Sequence, residues 1–205
     1  MPQRDDLLFF GRISASVSHE LKNVLAVMNE QAGLLEDLAA MAGKGMPLDP
    51  ERLAATAACL QRQVRRGDAL LTHFNRFAHT PDAAERAISL PEAANLAVAL
   101  ACRQAGMRKV ELSALPGDAA TVTADPFLLC RLLAWCLDVA LERPGPEHAI
   151  TVASRADADG PALAVSGLDP DAPAPDGDDG RALAQGLGAH LDMLPGSIRI
   201  VWPTA

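Results

Sequence analysis

The sequence predicts an α+β fold in two parts. Residues 1–82 form a long two-helix hairpin that pairs with a second copy into a four-helix bundle, and residues 83–205 form a small α/β sandwich. Three observations carry this expectation. Apolar residues recur with a helical period over most of the first eighty positions. Gly43, Gly45 and Pro47 break that period once. After Pro81 the pattern changes to short strands alternating with shorter helices.

The first helix spans residues 5 to 42. Ile13, Val17, Leu21, Val24, Met28, Leu35 and Leu38 recur at three-, four- and seven-residue steps and define one apolar stripe. Arg12, Ser16, His19, Asn23 and Glu30 recur on a different face. Asp49, followed by Pro50 at the first helical position, starts the second helix, which runs to about His79. Its apolar face comprises Leu53, Leu60, Val64, Leu70, Leu71, Phe74 and Phe77. Gly67 costs about 1 kcal/mol of helix propensity without stopping the pattern. A lone hairpin cannot enclose two apolar faces, so pairing as a homodimer is expected. Arg62, Arg65 and Arg66 fit a solvated face, or contact with an acidic partner surface.

Beyond the hairpin, 89–105 reads as a helix, and 110–112 and 121–123 as strands. Asp125 and Pro126 start the helix PFLLCRLLAWCLDVALER. Residues 149–154 and 162–166 read as strands around the turn 157–161. The stretch 168–180 is a Pro- and Gly-rich loop, 182–194 a last helix and 197–202 a last strand.

Composition narrows the function classes. Aromatics make up 3%, tyrosine is absent and the net charge is −8. An acidic chain without a basic cluster or a stacking surface is not expected to bind nucleic acid. Cys59, Cys102, Cys130 and Cys136 lack any C-x-x-C spacing and read as reduced thiols of a cytoplasmic protein rather than a metal site. No run of about eighteen apolar residues is present, so no membrane insertion is expected. The N-terminal segment MPQRDDLLFFGR does not read as a signal peptide.

The candidate chemistry sits at His19. A water-facing imidazole beside a carboxylate, here Glu20, can act as a nucleophile, because the carboxylate can orient the ring and accept its proton. An arbitrary histidine on a polar helix face is ordinarily just solvated. What sets this one apart is resemblance. The segment SVSHELKNVLAVM is similar to the H-box of two-component histidine kinases, with Val24 in place of the usual proline. LLTHFNRFA resembles the end of the second bundle helix of that family. The resemblance implies that His19 is the phosphoacceptor and that Glu20 polarises it. Asn23 matches the position that orients water for dephosphorylating a receiver, and it also fits an ordinary surface asparagine. Lys22 could help neutralise phosphate. A receiver is expected to dock near Ile13, Ser16 and Val17. About a dozen residues precede the motif, so input is expected from another chain or from a preceding stage of a relay.

The rest of the chain resembles the family's ATP-binding domain, with its motifs degraded. The paired asparagines of active members correspond to Ala134 and Asp138 within Leu132–Ala140. Alanine ligates nothing, and aspartate adds negative charge where triphosphate would sit. The aspartate of the D-x-G-x-G loop is displaced to Asp169, followed by Pro170. Where the glycine-rich phosphate loop is expected, Asp176, Asp178 and Asp179 would repel ATP. Gly186 and Gly188 read as packing features inside the last helix, and one terminal strand replaces the family's hairpin.

The resemblance therefore implies a kinase-like histidine phosphotransferase. It exchanges phosphate between His19 and the aspartate of response-regulator receiver domains, with no cofactor of its own and with Mg2+ supplied by the receiver. Two alternatives stay open: an ATP-dependent kinase that autophosphorylates His19, and a dimeric docking or inhibitor module without chemistry.

Overall fold

The N-terminal apolar period becomes two antiparallel helices, α1 (Pro2–Gly43) and α2 (Pro50–Ala78), in the computed structural model, which describes residues 2–173 and 176–204. The Asp49 carboxylate accepts from the Glu51 amide at 2.9 Å and starts α2 as its sequence implies. Phe9, Ile13, Val17, Val24 and Leu38 of α1 are buried. Each such burial contributes about 1.5–3 kcal/mol. The helices meet closely at Gly67, where an added Cβ would lie 3.4 Å from a Val24 methyl. Leu7, Leu25, Val64 and Leu71 stay exposed on the hairpin.

The chain packs as two compact units, 1–74 and 75–205. The last turn of α2 belongs to the second, where Phe77 is fully buried with its ring centroid 6.1 Å from that of Phe127. That unit contains β1 (Arg86–Ser89), α3 (Leu90–Arg108), β2 (Glu111–Ala114), β3 (Thr121–Ala124) and α4 (Pro126–Glu142). It continues with β4 (Ala149–Asp157), β5 (Gly160–Ser166), α5 (Asp178–Gly186), β6 (His190–Leu194) and β7 (Ser197–Val201). The larger sheet runs β2-β4-β5-β7-β6, with β2 and β4 parallel and the other pairs antiparallel. The smaller pairs β1 with β3.

Its core lies between the helices α3 and α4 and the larger sheet. Leu90, Ala94 and Ala101 of α3, and Leu129, Leu133 and Leu137 of α4, meet Ile150, Val152, Leu163, Val165, Ile198 and Ile200. Asp125 fixes the start of α4, its carboxylate accepting from the Phe127 and Leu128 amides at 2.8 and 3.0 Å.

Two expectations give way here. The helix expected over 182–194 begins earlier and ends at Gly186, because Gly188 adopts φ +64 and the Leu187, Gly188 and Ala189 amides return to Ala184 and Gln185. Gly188 is thus a helix stop, not a packing feature within a helix. The remaining residues form β6, with Leu191 turned into the core, so the C-terminal region carries a β6–β7 hairpin rather than one strand. The strand β1 was also not expected. Part of the 168–180 loop, residues 174 and 175, lies outside the described residues.

Gly67→Ala is expected to raise stability by about 1 kcal/mol, because it improves helix propensity and the new methyl only touches Val24. Thermal denaturation measures this. The thiols should divide by burial. Cys136 is buried and its pKa is pushed up by desolvation, Cys130 is pushed up to about 12 by the same cause, and Cys102 is exposed. Alkylation of the native protein near neutral pH, read by peptide mass spectrometry, is expected at Cys102 first and at Cys136 last.

Candidate functional site

On α1 the buried stripe dictates what faces water. His19 is exposed, as are Ala15, Lys22, Asn23 and Ala26 around it, while Ser16 is half-buried. Ala15, Ser16, Lys22 and Asn23 lie one turn to either side of His19 and Ala26 two turns on, so its ring stands on an open face edged by small or polar side chains. No hydrogen bond holds the ring among the described residues. Ile13 and Val17, expected to offer a docking surface, are instead buried. They belong to the same apolar stripe as Val24, and a residue that packs the hairpin cannot also meet a partner.

Glu20 is drawn toward α2. Its side chain is 13% exposed and accepts a hydrogen bond from the Arg66 guanidinium, an ion pair joining residues 46 apart in sequence. Such a pair fixes the carboxylate one residue from His19. Sequence spacing alone did not single out Arg66 from Arg62 and Arg65. The register that sets Gly67 against Val24 also brings Arg66 level with Glu20.

In the second unit, Ala134 and Asp138 lie one turn apart on α4, both half-buried. Between them Trp135 supports α5. A Cβ on Gly180 would come within 2.5 Å of the indole ring, and one on Gly186 within 2.9 Å of Leu128. The helix α5 therefore rests directly on α4, with Ala184 buried beneath it. Trp135 and Gly180 escaped sequence reasoning, since nothing local marks two residues 45 positions apart as a contact pair.

At the end of β5 stands Gly167, at φ +97, where an added Cβ would lie 2.0 Å from the Ala149 carbonyl oxygen. That position admits no side chain. Asp169 follows two residues later. Its amide donates to the Arg143 carbonyl at 2.9 Å, and its carboxylate accepts from the Asp171 amide at 3.0 Å, an Asx turn. Asp169 lines a cavity of about 240 Å3 with Arg143, Met193 and Ser197, whose walls include neither Ala134 nor Asp138. The acidic stretch before α5 is engaged locally. Asp176 accepts from the Asp178 amide at 3.1 Å, and Asp178 from Arg181 at 3.0 Å. Among the described residues no group of three His, Cys, Asp or Glu side chains could hold a metal ion, and no helix is long and apolar enough to cross a membrane.

No protein-family model matches this sequence, and no curated protein does. Among solved structures, the chain is similar to a bacterial phosphotransferase, at 17% identity over 94% of this chain and 95% of that one, with a TM-score of 0.50. It is also similar to the histidine kinase AdeS of Acinetobacter baumannii, at 13% identity over 89% and 95% of the two chains, with a TM-score of 0.43. A third similarity is to the ATP-binding domain of PrrB from Mycobacterium tuberculosis, at 15% identity over 59% and 97%, with a TM-score of 0.46. Over nearly the whole of both chains this protein shares the fold of the phosphotransferase, with N-terminal helices followed by a mixed-sheet α/β unit.

Proposed function

We propose that this protein carries phosphate on His19 and exchanges it with the aspartate of response-regulator receiver domains, acting as a homodimer and without ATP. The observation that supports this most is the exposed His19 ring, flanked by small residues, with a half-buried carboxylate held beside it by Arg66. A docking module without chemistry has no use for that arrangement.

In the transfer, a ring nitrogen of His19 attacks the phosphorus of an aspartyl phosphate in line. The N–P bond forms as the P–O bond to the receiver carboxylate breaks, and the carboxylate leaves with the electron pair. Glu20, adjacent in sequence, is the carboxylate assigned to polarise the ring, and Mg2+ of the receiver offsets the charge on the transferring group. The reverse step hands phosphate to a second receiver. The face formed by Ala15, Ser16, Lys22 and Asn23 is where a receiver would approach, with Asn23 placed to orient a water that dephosphorylates it.

The residues at the family's nucleotide positions do not fit ATP. Ala134 has no ligand atom, Gly167 leaves no room for an adenine-binding carboxylate, and α5 is seated on Trp135. The second unit then serves as scaffold. The homodimer reading rests on Leu7, Leu25, Val64 and Leu71, an exposed apolar set on a hairpin too thin to bury it alone.

Incubation with a phosphorylated receiver is expected to label the wild-type protein and to leave His19→Ala at background. Radiolabelled ATP without a receiver should label neither. Label on His19 from ATP alone would assign the protein to autophosphorylating kinases, and equal labelling of both forms by the receiver would remove His19 from the chemistry. In a separate measurement, Leu25→Glu combined with Leu71→Glu should halve the mass seen by sedimentation, while the single-copy helix content stays unchanged.

A further inference from the structure

Within the second unit, the end of α2, the strand β1 and the first turns of α3 and α4 enclose a half-open cavity of about 400 Å3. Its volume falls in the range of small-molecule sites. Ile88, Leu96, Pro126, Leu129 and Cys130 form an apolar floor, and Arg76, His79, Arg86 and Glu92 stand at its rim. The rim charges do not cancel. His79 is occupied by Asp82 at 2.7 Å, outside the cavity lining. Arg76 reaches Glu92 only at 3.4 Å, with both side chains more than half exposed, so the pair is weak. Arg86 has no ion-pair partner among the described residues. It lines the same cavity as Cys130.

Two guanidinium groups from different elements, one of them unmatched, above an apolar floor are complementary to a ligand that is anionic at one end and apolar at the other. Guanidinium pairs planar carboxylates with two parallel hydrogen bonds, and the floor rewards each methylene removed from water. A phosphorylated nucleotide would leave its polar base and sugar against that floor, so it fits poorly. We propose that this cavity binds a small amphipathic organic anion, a carboxylate on a short apolar chain or ring, with its head between Arg76 and Arg86 and its body on Ile88, Leu96 and Leu129. The site is independent of the His19 chemistry.

Decanoate serves as the probe, added to the full-length protein with the Ile and Leu methyl groups followed by NMR. Saturable shifts confined to Ile88, Leu96 and Leu129 are expected. Arg86→Glu and Arg76→Ala should each weaken decanoate by about tenfold or more, and decanol should bind the wild type correspondingly less well. Ala93→Leu, which narrows the cavity without touching its charges, should weaken both probes. Circular dichroism identifies any variant that fails to fold, and the remaining variants and the decanol comparison then decide. Three results would each overturn the proposal: no saturable shift at these methyls, equal affinity for decanol and decanoate, or unchanged affinity in a folded Arg86→Glu protein.

Discussion

The seam between α1 and α2 is the constraint from which the candidate site follows. Once Ile13, Val17 and Val24 are buried, helical geometry leaves no choice about where His19 points. The ring faces water because its neighbours at three- and four-residue steps are polar or small, and because the stripe beside it is already committed. The close approach at Gly67 sets the register of the seam, and the same register delivers Arg66 to Glu20. Packing and electrostatics at the site are therefore one arrangement rather than two. A shift of one helix by a turn would separate the ion pair as surely as it would unpack Val24.

The second unit keeps its packing in a core of helices against a sheet. That core is built from apolar residues of α3, α4 and the central strands. Several residues outside it have clear structural roles. Gly167 lets β5 pass against the Ala149 carbonyl, and Trp135 seats α5. Asp169 closes a turn with its carboxylate on the Asp171 amide.

Much of this was legible in the sequence, for identifiable reasons. Long periodic helices and the caps at Asp49 and Asp125 announce themselves, since both signals are local and repeat the same preference over many residues. The face of His19 could be read for the same reason. What could not be read depends on distant partners or on very short elements. A four-residue strand such as β1 has too few positions to show alternation, and its pairing with β3 is a tertiary fact. The segment HLDML carries leucines that suit a helix as well as a strand, and only the left-handed turn at Gly188 settles which forms. The Glu20–Arg66 pair and the contact of Trp135 with Gly180 join residues far apart in the chain, so composition and spacing could not reveal them. The docking expectation for Ile13 and Val17 failed differently, because the stripe that buries them was already visible.

The position of β7 in the sheet has a consequence for biosynthesis. It lies between β5 and β6, with Ile198 and Ile200 fully buried, although it is the last strand in the chain. Until residue 201 has left the ribosome, β5 lacks its inner neighbour and the sheet cannot close. The helical hairpin, made entirely of contacts within the first 74 residues, emerges long before and can form on the nascent chain. The helix that carries His19 is thus shaped first, while the α/β unit waits for β7 to be translated.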